Sequence, residues 1–128
     1  MSDYTIKNLR EVRDSAAGSD FSDRQEARFA RGDLAAEHTG LSYHVIKAGK
    51  RQAFGHRHRE AEEVYVVLSG AGRVKLGEEI VELAPMDALR VAPPLMRAFE
   101  GGPQGMELLV FGPHHERDGE MEADFWTD

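Results

Sequence analysis

Residues 49–70 read GKRQAFGHRHREAEEVYVVLSG and contain the most informative spacing in the chain. His56 and His58 are two residues apart, so on a β-strand both imidazoles point to one face. Phe54 shares that face, whereas Arg57 and its neighbour Arg59 take the other. Glu63 begins the next apolar run, and antiparallel pairing would return its carboxylate to the face of the two imidazoles. Two imidazoles and one carboxylate on one side of an ion suit Fe(II), Mn(II), Ni(II) or Zn(II).

Short β-rich runs, separated by Gly and Pro, continue through the middle of the chain. They cover 41–47, about 52–58, 63–68, 72–76, 79–83, 87–91, about 97–100 and 106–111. Gly77-Glu78 stands between two of these runs and predicts a tight hairpin turn. This rhythm predicts an all-β chain folded as a small antiparallel sandwich or barrel.

At this point the sequence resembles the cupin family of double-stranded β-helix (jelly-roll) barrels. The first cupin motif runs Gly, five residues, His-x-His, three or four residues, Glu, six residues, Gly. His56, His58, Glu63 and Gly70 fit this frame, although six residues rather than five separate Gly49 from His56. The resemblance covers about 40–111 and implies that His56, His58 and Glu63 are metal ligands. Glu62 is the neighbouring alternative, but only Glu63 leaves six residues before the glycine.

The second cupin motif, whose histidine supplies a fourth ligand, is absent. One register places Arg97 at the histidine position, and a register that uses Pro93 as the motif proline places Ala98 there. Neither register finds a ligand, because no histidine occurs between residues 59 and 113. Arginine remains protonated and cannot donate a lone pair to a metal.

Two schemes follow from Arg97. In the first, the motif binds a divalent metal with open positions, and Arg97 holds an anionic substrate beside it. In the second, Arg97 pairs with Glu63, replaces the charge of the metal and leaves a metal-free pocket. His44, on the adjacent predicted strand, either completes the site or is an ordinary surface or hydrogen-bonded histidine. Beside the metal ligands, the predicted substrate-binding residues are Arg97, Tyr65, Phe54 and His44.

Two arms flank the predicted barrel of residues 41–113. The N-terminal arm, 1–40, has a predicted helix over 22–31, because Ser22 and Gln25 have capping-box spacing and Gly32 follows. The C-terminal extension, 114–128, carries one basic and six acidic residues and contains Phe125-Trp126, two rings expected to pack against the body or a partner.

The strand predicted over 63–68 is apolar on both faces and needs an outer cover. The N-terminal arm, the terminal aromatic pair or a second subunit would provide it. Together with the habit of the family, this feature predicts a homodimer.

The composition narrows the function classes. The chain has 128 residues, a net charge of −7 and no cysteine, which excludes disulfides, thiolate ligands and a cysteine nucleophile. The acidic balance argues against nucleic-acid binding, and the sequence contains no apolar run long enough for a membrane helix. A cytoplasmic location is the simplest expectation. Two function classes remain: a metal-dependent cupin of dioxygenase, isomerase or lyase type, and a metal-free module that binds a small anionic molecule.

Overall fold

The computed structural model describes residues 3–115 and 117–127 and contains one curled antiparallel sheet. Its elements are β1 (Gln25–Phe29), α1 (Arg31–Leu34), β2 (Thr39–Ile46), β3 (Gly55–His58), β4 (Glu63–Leu76), β5 (Glu79–Leu83), β6 (Ala88–Val91), β7 (Arg97–Pro113) and β8 (Gly119–Glu122). A 3-10 turn, Leu9–Glu11, precedes β1. The all-β fold class predicted from the sequence is confirmed.

Two long strands organise the barrel. β7 pairs with β2, β3 and β4, while β4 also pairs with β5 and β6. The runs predicted at 63–68 and 72–76 are therefore one strand, and those at 97–100 and 106–111 are another. The turn after β4 lies where it was predicted, since Leu76 pairs with Glu79 and Gly77 has a φ of +60°.

The barrel closes tightly enough for Gly70 to be required as glycine. The register between β4 and β7 shifts on both sides of it, and its φ is +71°. A Cβ at this position would lie 2.1 Å from the carbonyl oxygen of Gly105. The last glycine of the sequence motif is therefore the residue that lets β4 bend across its neighbour.

The barrel interior is apolar below the histidine pair. Side chains of both long strands and of β2, β5 and β6 form this core: Ile46, Tyr65, Val67, Val74, Leu83, Val91, Phe99, Met106, Leu108 and Val110. Tyr65 packs against Phe99 with ring centroids 4.7 Å apart. The Glu63 end of β4 therefore stands above a packed floor, which fixes the direction of the side chains around it.

The helix predicted over 22–31 is wrong. Residues 25–29 form β1, which pairs with β2 from Gln25↔Ile46 to Phe29↔Ser42, and the α-helix of this region is the four-residue α1. The capping-box spacing is a local signal, and the ladder to β2 outweighs it because it buries Ala27 on the barrel side. The N-terminal arm thus supplies an edge strand of the sheet.

The C-terminal extension packs on the body, as predicted from its aromatic pair. β8 pairs with β3, next to the histidines. Phe125 covers Gly55, where a Cβ would come within 2.6 Å of its ring. The guanidiniums of Arg51 and Arg73 lie 4.5 Å and 5.5 Å from the ring centre of Trp126. The extension therefore holds β3 from its open side.

The outer face of β4 keeps apolar surface. Polar contacts join the N-terminal arm to β1 through Asp14 and Arg28 and to β7 through Arg10. Those of the C-terminal extension reach β3 and, through Lys75, the far half of β4. Leu68 of β4 is 41% exposed, and Phe111 on the neighbouring β7, which pairs with Val64, is 36% exposed. Among the described residues, no helix is long and apolar enough to cross a membrane.

Candidate metal centre

Strand alternation and the β3–β4 turn bring the three predicted ligands together. The Nε2 atoms of His56 and His58 each lie 3.3 Å from Oε1 of Glu63, and the three ligand atoms form the one such metal-competent group among the described residues. Arg57 points outward to Glu120, and Glu62 points outward to Arg90. The choice of Glu63 over Glu62 therefore agrees with the geometry.

The spacing of these atoms fits one bound ion. Two donor atoms bonded to one ion at about 2.1 Å, at angles of about 90–110°, lie about 3.0–3.4 Å apart. His58 adds a second observation, because both of its ring nitrogens are buried and neither makes a well-aligned hydrogen bond. Each of these nitrogens faces a carboxylate oxygen at 3.3 Å, Nε2 that of Glu63 and Nδ1 that of Asp118, so Nε2 can donate its lone pair to an ion bound beside Glu63.

The Glu63 carboxylate is charged and surrounded by polar groups. The Tyr65 hydroxyl donates a hydrogen bond of 2.5 Å to Oε1 and lies 3.4 Å from Nε2 of His56. Burial alone would raise the pKa of Glu63, but the two imidazoles and the Tyr65 hydroxyl outweigh it and hold that pKa well below its usual range. Burial, followed by the Glu63 charge, raises the pKa of Tyr65 well above its ordinary value. Tyr65 is therefore a neutral donor to an ionised carboxylate.

Arg97 is fully buried next to the Glu63 carboxylate and is not part of the cavity wall. Its side chain is 0% exposed, its Nη1 is 3.9 Å from Oε1 of Glu63, and Nη2 donates to the carbonyl of Ala92 at 3.0 Å. It pairs with His56 across β3 and β7, so the register that aligns Arg97, not Ala98, with the missing histidine describes the site. The cavity wall at the ligands does not include Arg97. Direct contact between Arg97 and a substrate stays a prediction from the sequence; in the structure Arg97 is fully buried, and its Nη1 donates to the His56 carbonyl and approaches Glu63.

A cavity of about 260 Å³ opens onto the three ligands. The other predicted substrate-binding residues, Tyr65, Phe54 and His44, all line it. The rest of its wall is largely apolar and comes mainly from β1, β2, β7 and β8. Its residues are Gln25, Ala27, Phe29, Ser42, Gln52, Leu108, Val110, Gly119, Glu120 and Met121. The site is thus a pocket with a polar floor and apolar sides, as small-molecule sites commonly are.

His44 is on the wall of this cavity, outside the ligand group. Its Nε2 is 2.8 Å from the Ser42 hydroxyl oxygen, its Nδ1 is buried without a hydrogen-bond partner, and its ring meets Phe29 edge-on. Burial, reinforced by the neighbouring His56, lowers the pKa of His44 to about 4. His44 is therefore neutral at pH 7.

Asp118 is a functional residue that the sequence analysis missed. Its carboxylate is buried and accepts backbone N–H hydrogen bonds of 2.9–3.0 Å from Arg59, Glu60 and Ala61, which form the turn between the histidines and Glu63. Its Oδ2 also lies 3.3 Å from Nδ1 of His58. These three N–H groups and the His58 ring hold the pKa of Asp118 below its usual range, although burial opposes them. A carboxylate at the far nitrogen of a ligating imidazole orients the ring and selects its tautomer.

We predict that Asp118→Ala weakens metal binding about tenfold to hundredfold, as loss of a carboxylate behind a ligating histidine commonly does. The measurement is a competition titration with a chromophoric chelator. Asp124→Ala, on the same extension but outside the cavity wall, is the control. An unchanged affinity for Asp118→Ala would contradict the orienting role.

The lowered pKa of His44 predicts that the protein becomes less stable in acid. The unfolded chain takes up a proton at His44 below about pH 6.5, whereas the folded chain resists it until the pKa of about 4. The free energy of unfolding is therefore unaffected by His44 above pH 6.5, and it falls by about 3 kcal/mol as the pH is lowered towards 4. Urea unfolding of the protein and of His44→Gln should give curves of stability against pH that diverge by this amount. Parallel curves would show that His44 does not titrate this way.

Comparison with known proteins agrees with the fold. No family model and no curated protein sequence matches the chain. Among solved structures, it is similar to a cupin protein from Bacteroides fragilis, with 22% identity, a TM-score of 0.73 and coverage of 100% of this chain and 99% of the other. The polyketide cyclase RemF from Streptomyces resistomycificus gives 18% identity and a TM-score of 0.76, covering 97% and 87%.

A third similar structure is the Streptomyces protein PAC13 with uridine, at 15% identity and a TM-score of 0.75, covering 95% of this chain and 92% of that one. At these identities the likeness concerns the fold, and it extends over nearly the whole chain, including both arms. The double-stranded β-helix fold of the cupins, with a His-His-Glu cluster in its barrel, is therefore the architecture of this protein.

Proposed function

We propose that this chain binds one divalent transition-metal ion, Fe, Mn, Ni or Zn, through His56, His58 and Glu63, and binds or acts on a small anionic molecule beside that ion. The observation that carries the proposal is the convergence of two imidazole nitrogens on one carboxylate oxygen, each at 3.3 Å. When bound, such an ion supplies a Lewis acid that polarises a substrate oxygen or activates water or dioxygen.

The charges around the site support an anionic ligand. Glu63 and Asp118 are ionised, and Arg97 is a fully buried cation. Adding a divalent ion to two carboxylates and one guanidinium leaves one positive charge in excess. A buried excess charge is costly, so an anionic donor group at the ion is favoured over a neutral one.

The pocket walls support a small organic ligand. Tyr65 offers a hydroxyl beside the ligands, while Phe54 and the neighbouring apolar side chains line the sides of the cavity. The likeness to a polyketide cyclase and to a uridine-bound protein agrees with such a ligand. A dioxygenase, isomerase or lyase reaction remains the expected chemistry if the chain is an enzyme. The homodimer and the cytoplasmic location stay predictions from the sequence.

The metal assignment predicts about one equivalent of metal per chain in tag-free protein purified without chelator or added metal. His58→Ala should lose that metal and remain folded, because it removes one donor and leaves the barrel core intact. His38→Ala, at an exposed histidine that does not line the cavity, is the matched control. Elemental mass spectrometry measures the metal, and circular dichroism checks the fold. Unchanged stoichiometry in His58→Ala would exclude the assignment.

A second candidate function is a metal-free module that binds a small molecule. The observation in its favour is the fully buried guanidinium of Arg97, 3.9 Å from Oε1 of Glu63, which supplies a positive charge where the cupin motif has its fourth ligand. In this reading Arg97 and the Tyr65 hydroxyl satisfy the carboxylate without an ion.

The metal-free reading predicts that the unmodified protein remains empty after anaerobic titration with Fe(II) or Mn(II), and that Arg97→His gains metal. Isothermal titration of both proteins with each metal tests this, with thermal melting to check that the variant is folded. A metal-bound unmodified protein would contradict this reading, and an Arg97→His variant that stays empty would show that Arg97 is not what excludes the ion.

A further inference from the structure

A second cavity of about 350 Å³ touches the same ligand cluster. It shares five wall residues with the first cavity: Phe29, Ser42, His58, Glu63 and Val110. Both cavities therefore reach His58 and Glu63, and together they have the size of a typical small-molecule pocket.

The two cavities differ in charge. The wall of the first has no Lys or Arg among the described residues, whereas the second has Arg31 together with His114 and His115. The acidic groups on the second wall already have partners, since Asp118 accepts three backbone N–H groups and Glu63 faces the histidine pair. Among the described residues that line the two cavities, Arg31 is thus the one permanently charged cation.

Arg31 has no acidic partner within the described chain. Its Nε is buried without a hydrogen-bond partner, and Nη2 reaches only the carbonyl oxygen of Glu37, at 3.5 Å. Arg28, by contrast, pairs with Glu26 at 3.0 Å, and Arg57 pairs with Glu120 at 2.7 Å. A guanidinium on a cavity wall without a carboxylate partner can pair with an oxyanion that a ligand brings.

The backbone holds Arg31 in place before any ligand arrives. The preceding Ala30 is fully buried and donates its N–H to the carbonyl of Leu41 on β2. The Arg31 carbonyl accepts the N–H of Ala36, which closes the short turn of α1. The backbone that carries the Arg31 side chain is therefore fixed relative to β2, which also lines the first cavity.

From this arrangement we infer that Arg31 binds an oxyanion, a carboxylate or a phosphate, at one end of a small molecule whose other end reaches the His56–His58–Glu63 cluster. Phe29 and Val110, on the shared wall, contact the apolar middle of that molecule. The inference rests on the proposed function and deepens it. It assigns anion recognition to Arg31, where the sequence analysis assigned it to Arg97.

The test is an NMR titration of metal-free protein with acetate and with inorganic phosphate, following the Arg31 Nε–H signal. We expect that signal to shift and saturate with at least one of the two anions. A response to acetate alone assigns a carboxylate to the ligand, and a response to phosphate alone assigns a phosphate ester. No response to either anion would overturn the inference. Because the protein is metal-free, the result does not depend on whether the metal assignment holds.

Substitution of Arg31 provides a second test of anion binding. Arg31→Ala should weaken binding of the anion that shifts the Arg31 signal at least tenfold. Arg31→Lys should weaken it less, because lysine keeps the charge but loses the planar pair of donors. Arg13→Ala, at an exposed arginine on neither wall, is the matched control. Equal affinity in Arg31→Ala and the unmodified protein, or an equal loss in Arg13→Ala, would overturn the assignment. Backbone NMR spectra of each variant confirm the fold.

Discussion

One carboxylate oxygen, Oε1 of Glu63, is the point around which the interior of this barrel is arranged. Two imidazole nitrogens, a phenol hydroxyl and, at longer range, a guanidinium face it. Such a charge is tolerated inside a protein only when its neighbours offset the loss of hydration. The strand pairing of Arg97 with His56, the bend of β4 at Gly70 and the packed floor beneath Tyr65 all place those neighbours. The site is therefore a property of the whole barrel and not of one motif.

Local patterns were sufficient to predict the centre of the molecule. The alternation of a strand puts His56 and His58 on one face, and the resemblance to the first cupin motif, with its six residues before Gly70, implies Glu63 rather than Glu62. The hairpin at Gly77 follows from the requirement for a positive φ. These features depend on residues close together in sequence, so a reader of the sequence can identify them. The strand rhythm predicted an antiparallel sandwich or barrel, and the resemblance to the cupins selected the barrel.

Contacts between distant segments explain what the sequence analysis missed. The capping spacing at Ser22 predicted a helix, but pairing with β2 decided the structure of that segment. Asp118 meets Arg59 across 59 residues of chain, and no periodic pattern marks that contact. Arg31 looks like any surface arginine in sequence, and only the folded chain shows that its Nε is buried without a partner. Arg97 was recognised at the position of the missing ligand, yet its complete burial is a property of the folded barrel that no local pattern reveals.

The support of His58 by Asp118 also orders events during synthesis. The histidines and Glu63 leave the ribosome first. Asp118, which immediately precedes β8, follows Arg59 by 59 residues. Until then the turn at 59–61 lacks the acceptor for its three N–H groups. The nascent chain thus has all three ligands but no rigid cluster. Assembly of the centre is completed only when the C-terminal strand joins β3.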